Sequence, residues 1–275
     1  MIKIENLSYR YPSEEGNEGH LAIDGLNLAI NKGDFVAILG HNGSGKSTLG
    51  KLINAQIFPS AGDIWLDDLN SKDEGNIWDY RAKCSMVFQN PDNQMVATTV
   101  EEEVAFGVEN LRVPNSELRQ RVNSAIELVG MSDFKKRNPA NLSGGQKQRV
   151  SIAGVVAMMS EYIIFDEPTA MLDPKGRKDV IKLVEELNKN HNKTIIYVTH
   201  YMEEAIIADK IVVLDKGKKA LEGSAREVFS KVSDMKKLGL TVPQVTEVAY
   251  ELEQKGVKFD KLPLSIDEFL ESIWI

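Results

Sequence analysis

Apolar positions along the chain recur in two rhythms. Short unbroken or nearly unbroken runs predict strands covered on both faces. They include Phe35-Val36-Ala37-Ile38-Leu39, Cys84-Ser85-Met86-Val87-Phe88, Tyr162-Ile163-Ile164-Phe165 and Thr194-Ile195-Ile196-Tyr197-Val198-Thr199. Met1-Ile2-Lys3-Ile4-Glu5-Asn6 instead alternates with period two, as a strand with one wet face does. Helical stretches lie between these, at residues 46–55, 99–110, 115–129 closed by Gly130, and 147–159 with Val150, Ala153, Val156 and Ala157 on one face. Strand and helix alternate through the body of the chain, which predicts an α/β fold whose sheet is mostly parallel and covered by helices. The first 75 residues are richer in strands and turns, residues 76–159 are mainly helical, and 161–229 return to alternation. Residues 243–255 and 265–273 predict two further amphipathic helices, with Pro243 at a first helical position, Gly256 as a stop and Pro263 between them. The expected organisation is one large domain over 1–229, with a helical subdomain near 76–159, and a C-terminal extension over 230–275.

Two glycine-bearing segments add chemistry to this pattern. The first is Gly40-His41-Asn42-Gly43-Ser44-Gly45-Lys46-Ser47-Thr48, directly after one strand and opening a helix. Its glycines let successive backbone N–H groups turn toward one anionic point. Lys46 supplies a compact positive charge for the β- and γ-phosphates of a nucleotide, and Ser47 offers a hydroxyl to Mg²⁺. Thr48 can reach the α-phosphate, and the helix N-terminus adds a favourable dipole. The second segment is Leu142-Ser143-Gly144-Gly145-Gln146, also at a helix start. Ser143 suits the N-cap, but two glycines in a first turn cost about 1 kcal/mol each relative to Ala. Close approach to a ligand is the natural offset. Both segments are built for phosphate and should not share one nucleotide, so the second is expected to serve a site on another copy or partner.

With these two segments the chain resembles the ATP-binding cassette family. The resemblance implies the family's fold, a P-loop ATPase domain with a β-rich N-terminal part and a helical subdomain, and it implies ATP and Mg²⁺ as ligands. It assigns Asp166 to the carboxylate that holds Mg²⁺, Glu167 to the catalytic base and Gln89 to the glutamine reaching Mg²⁺ and the attacking water. It likewise assigns Asp173 to a loop crossing a dimer interface and His200 to the γ-phosphate contact. Tyr11, just before Pro12, matches the aromatic residue on which the family stacks adenine. The stretch Val87-Phe88-Gln89-Asn90-Pro91-Asp92-Asn93-Gln94, followed by Thr99-Val100-Glu101-Glu102-Glu103-Val104-Ala105-Phe106-Gly107, is similar to ATPases of energy-coupling factor transporters, and most like the first of their two paired ATPases. That resemblance implies an ATPase powering a membrane importer of vitamins or of cobalt or nickel. Its partners would be a second ATPase subunit, as a heterodimer or homodimer, a transmembrane coupling protein and a substrate-binding membrane protein. Asp92 and Glu101-Glu102-Glu103 are expected near the groove that receives the coupling protein. An ordinary homodimeric importer ATPase and a soluble cassette protein outside transport remain alternatives at this point.

Composition narrows the picture further. Hydrophobic residues make up 42% of the 275, enough for a sizeable core, and no run reaches the ~18 apolar residues of a membrane span. Cys84 is the single cysteine, which excludes an internal disulfide and suits a reducing compartment. The net charge of −8 argues against nucleic acid as a main partner. A peripheral position on the cytoplasmic face of a membrane follows from the resemblance. At the C-terminus, Ile273, Trp274 and Ile275 suit either docking onto another surface or capping the chain's own core.

Overall fold

The computed structural model describes residues 1–12 and 19–273, so Trp274 and Ile275 lie outside the described residues. It opens with β1 (Ile2–Arg10), β2 (Leu21–Ile30), β3 (Phe35–Leu39), α1 (Lys46–Ile53), β4 (Ala61–Leu66) and β5 (Leu69–Asn70). There follow α2 (Ile77–Lys83), β6 (Cys84–Val87), α3 (Val100–Asn110), α4 (Asn115–Leu128), α5 (Gly144–Ala157) and β7 (Tyr162–Asp166). The chain continues through α6 (Pro174–Lys189), β8 (Thr194–Val198), α7 (Met202–Ala205), β9 (Lys210–Asp215) and β10 (Lys218–Gly223). It closes with α8 (Ala225–Phe229), α9 (Val232–Lys237), α10 (Gln244–Gln254) and α11 (Ile266–Ile273).

Two sheets organise these elements. An antiparallel sheet runs β2-β1-β4-β5, and a second sheet runs β10-β9-β3-β8-β7-β6. Within the second, β9, β3, β8, β7 and β6 are mutually parallel, and only β10 pairs antiparallel, with β9. The apolar runs of β3, β6, β7 and β8 are buried at every residue, as strands covered on both faces must be. Their alternate residues feed two different cores. Val36, Ile38, Met86, Ile164, Ile196 and Val198 face α1 and the antiparallel sheet. Phe35, Ala37, Val87, Ile163, Phe165, Ile195 and Tyr197 face α3, α4, α5 and α6.

The second core also takes in the end of the chain. Val232, Met235, Leu240, Val242, Ala249, Leu262 and Leu264 are buried in it with Val228 and Phe229. Arg226 ties the junction, donating to the Leu262 carbonyl at 2.9 Å and pairing with Glu268 at 2.8 Å. The extension therefore caps the chain's own core, and its outer face still exposes Ile266, Leu270 and Ile273. Within the mainly helical stretch 76–159, the run at Cys84–Val87 is β6, the edge strand of the central sheet. Pro243 falls at the N-cap of α10 rather than inside it, its extended backbone leading into the first turn.

Candidate active site

The loop between β3 and α1 shapes a cleft of about 760 Å³, well within the range of small-molecule sites. Gly40, His41, Asn42, Gly43, Gly45, Lys46, Ser47 and Thr48 line it with Gln89, Glu167 and His200. The central sheet explains the meeting. β3, β6, β7 and β8 are parallel, so the residues following them emerge along one edge, the usual position of ligands in open α/β sheets.

The loop is held open from within. Lys46 is 5% exposed and donates to the carbonyls of Gly40 at 2.8 Å and His41 at 3.1 Å. Burial pushes its ammonium pKa down, and Glu167 and Asp166 oppose that. Gly45 holds φ +104°, and a Cβ there would meet the Ala22 carbonyl oxygen at 2.5 Å. Glycine is thus needed to let α1 start where it does. Ser44 Oγ is buried with no hydrogen-bond partner among the described residues. Lys46 lines the cleft and Ser44 does not, so the buried ammonium is the group here that an anionic phosphate would meet. His41 turns away from this anion point. Its Nδ1 meets the Asn42 carbonyl at 2.8 Å and its Nε2 meets Asp215 at 2.9 Å, and the two contacts raise its pKa in that order.

The metal side fits as well. Ser47 Oγ donates to Asp166 Oδ1 at 2.9 Å. Burial pushes the Asp166 carboxyl pKa up, with the Ser47 hydrogen bond opposing and Glu167 reinforcing. A hydroxyl, one buried carboxylate and the amide of Gln89 are oxygen donors of the kind Mg²⁺ takes alongside water and phosphate. Gln89 and His200 both converge on one atom. Gln89 Nε2 donates to Glu167 Oε2 at 3.3 Å, and His200 Nδ1 lies 3.1 Å from the same oxygen.

Tyr11 stands just past β1, edge-on to Tyr9 with ring centroids 4.9 Å apart, and its hydroxyl meets Thr48 Oγ1 at 3.1 Å. The Thr48 hydroxyl is therefore engaged by Tyr11.

Ser143, Gly145, Gln146 and Asp173 line a different cleft of about 300 Å³ that shares no residue with the first. Ser143 caps α5 in a reciprocal box. Its Oγ accepts from the Gln146 N–H, and its own N–H donates to Gln146 Oε1 at 3.0 Å. Cβ atoms on Gly144 and Gly145 would meet nothing closer than 3.8 Å and 3.9 Å. The chain's own packing does not demand glycine at either place. Leu142 is buried and anchors the loop from behind rather than facing the cleft. Asp173 caps α6, accepting from the Gly176 N–H at 2.8 Å.

The acidic residues expected at a partner groove are engaged within the chain. Asp92 pairs with Lys147 at 2.6 Å. Glu101 pairs with Lys136, Glu102 closes the capping box with Thr99, and Glu103 accepts the Val96 and Ala97 N–H groups at 2.8 Å. Helix start and loop closure explain the run.

Other features of the site escape sequence reasoning. Glu167 holds φ +47°, a left-handed backbone that is uncommon for a non-glycine residue. Met202, Gly239, Leu240 and Thr241 also line the first cleft. The last three come from the turn between α9 and α10, past every recognisable motif, and carry no local signal of their own.

Comparison with known proteins agrees with this geometry. The ABC transporter family profile matches residues 23–170. The chain is 54% identical over 273 residues to the energy-coupling factor transporter ATP-binding protein EcfA1 of Clostridium novyi, covering 99% of this chain and 97% of that protein. It is 52% identical to the EcfA1 protein of Clostridioides difficile, covering 98% and 97%. Among solved structures, cbiO1 from Clostridium perfringens, part of the ABC transporter complex cbiONQ, superposes with a TM-score of 0.76 at 36% identity, covering 92% of this chain and 98% of that one. The dimeric post-hydrolysis cassette MJ0796, bound to ADP and Pi, gives 0.74 at 31% identity, covering 82% and 99%. The chain belongs to the ATP-binding cassette transporter family and, within it, to the energy-coupling factor transporter ATP-binding proteins. Its activity is ATP hydrolysis coupled to transport.

Proposed function

We propose that this chain is one half of a paired ATPase, carrying one nucleotide on its own cradle and closing over its partner's nucleotide with the Ser143-Gly144-Gly145 turn. The disjoint clefts carry this reading, together with two glycines that the chain's own packing does not require. The backbone N–H groups of that turn can complete the electrostatic cage around a γ-phosphate from across the interface.

In and around the two clefts each side chain has a distinct task. Tyr11 offers a ring face for adenine. Lys46 and the backbone N–H groups of the loop, that of Ser44 included, hold the phosphates. Ser47, Asp166 and Gln89 would hold Mg²⁺, which when bound supplies positive charge to the phosphate oxygens. Glu167 orients the attacking water through the carboxylate that Gln89 and His200 support, and His200 reaches the γ-phosphate. Asp173 faces the partner from the α6 cap. Replacing Glu167 by Gln is expected to slow hydrolysis by about 10²–10⁴-fold while ATP binding persists. Near-normal turnover in Glu167→Gln would overturn the assignment.

The membrane partners dock elsewhere on the chain. Among the described residues no helix is long and apolar enough to cross a bilayer, so transport needs other subunits. A cleft between α2 and α3 is lined by Trp78, Phe106, Arg81, Arg112 and Met158, with Trp78 73% and Phe106 54% exposed. We assign this groove to the cytoplasmic segment of a transmembrane coupling protein, and we propose with it a position on the cytoplasmic membrane face. Phe106→Asp should abolish co-purification with membrane proteins from detergent extracts and leave ATP binding intact. A second, different ATPase among the co-purifying proteins supports the heterodimer, whereas self-pairs alone would refute it.

A further inference from the structure

We infer that Glu204 is the positioning residue that locks the loops carrying Glu167 and His200 to one another. It sits on α7, is 4% exposed, and forms no ion pair among the described residues. Three hydroxyls meet it instead. Thr169 Oγ1 donates to Oε1 at 2.6 Å, while Thr199 Oγ1 and the Tyr197 hydroxyl donate to Oε2 at 2.7 Å and 3.2 Å. All three donors belong to residues about 1% exposed.

The two oxygens serve two different loops. Thr169 is two residues past Glu167, in the turn after β7. Thr199 immediately precedes His200, after β8, and its Oγ1 also accepts the Tyr201 N–H at 3.0 Å. The backbone on both sides of His200 is thereby tied to the same group. The Glu167 N–H donates to the Val198 carbonyl at 2.9 Å, and the Ala170 N–H returns to the Glu167 carbonyl at 3.2 Å. Glu167 thus keeps its left-handed backbone because its surroundings over-determine it, and Glu204 is the side chain that joins those surroundings. A buried carboxyl group is costly unless fully hydrogen-bonded, so its presence here points to alignment rather than to stability. Glu204 is buried and does not line the nucleotide cleft, and it acts through Glu167 and His200.

This inference rests on the proposed roles of Glu167 and His200, and the test separates the two. ATP turnover is measured on the full-length chain, assembled as it purifies from membranes, for Glu204→Gln, Thr199→Val and Thr199→Ser, each with and without Glu167→Gln. Glu204→Gln and Thr199→Val are expected to lower kcat by about 10–100-fold, the scale of a small misplacement of reacting groups. KM for ATP should stay within about twofold, since the phosphate cradle is untouched. Thr199→Ser keeps the hydroxyl and should retain most of the rate. In the Glu167→Gln background the further changes should have almost no effect, because residues that act as one unit are not additive. If Thr199→Ser falls as far as Thr199→Val, or if the losses multiply in that background, Glu204 is only structural and the inference fails. If Glu167→Gln alone keeps near-normal turnover, it is the role of Glu167 that fails. Should Glu204→Gln not fold, the two Thr199 variants decide the question by themselves.

Discussion

Glu167 combines two energetic costs at one position. Its φ of +47° costs about 1–3 kcal/mol for a non-glycine residue. Its carboxylate lies beside Asp166, and the like charge helps hold the Asp166 carboxyl pKa up. Both costs serve the aim of one oxygen at Gln89 and His200. Glu167→Gly relieves both. It should raise Tm by about 2–4 °C, the shift that ~1 kcal/mol produces in a chain of this size, while hydrolysis is lost. Calorimetry beside a turnover assay checks this, and a lower Tm would mean that no strain was stored. Asp67 shows the opposite balance. Burial disfavours its charge, but the Met1 ammonium, the Tyr162 hydroxyl and Lys32 overcome this and hold its carboxyl well below the usual carboxylate range. A depressed folded pKa contributes stability that is complete above the unfolded value of about 4 and drains away as pH falls below it. Asp67→Asn keeps a residue that tolerates the φ of +53° here. It should cost on the order of 1–2 kcal/mol at neutral pH, with the gap to wild type closing below about pH 4 in a Tm series.

At the scale of elements, one device recurs. Thr99 with Glu102, Ser143 with Gln146 and Ser224 with Glu227 each close a reciprocal capping box at the start of α3, α5 and α8. The [S/T]-x-x-[E/Q] spacing is visible in the sequence because every partner lies within one turn. The run Glu101-Glu102-Glu103, expected near the coupling-protein groove, also has local partners, in helix capping, loop N–H groups and Lys136. The boxes differ in what faces them. Thr99→Ala should cost about 1 kcal/mol of stability without changing ATP turnover per folded molecule. Ser143→Ala removes a similar cap at the turn proposed to meet the partner's nucleotide, so it should also slow hydrolysis. Urea unfolding together with steady-state kinetics distinguishes the two. Equal kinetic behaviour would count against a trans role for that turn.

At the scale of the molecule, the two faces of the central sheet divide the work. One face packs α1 and the antiparallel sheet, which brings the phosphate loop and Tyr11 together. The other packs the helical elements and also residues 232–269 of the extension. Cutting the chain after Phe229 would therefore expose the core beneath Met235, Leu240, Leu262 and Leu264, and the truncated chain is expected to aggregate rather than report on association. A surface change is the better probe. Ile266, Leu270 and Ile273 form an exposed apolar stripe on α11 at helical spacing. Leu270→Glu should keep Tm within about 2 °C and weaken subunit pairing, as read by light scattering with ATP present. Unchanged pairing would exclude this face from the interface.

By itself the sequence determined the cradle, the Ser143 cap, the doubly buried strands and the carboxylates that end one of them. Each of these is encoded in neighbours a few residues apart, where periodicity and turn chemistry act. Only the tertiary structure decided which distant groups meet. Glu204 joins Thr169 to Thr199, Gln89 and His200 meet on a single oxygen of Glu167, and the turn at Gly239 comes to line the nucleotide cleft. Those contacts depend on the parallel order of β6, β7, β8 and β3 and on the extension folding back over the core. Strand order and packing are set by the summed burial of the whole chain, and no local pattern records that sum.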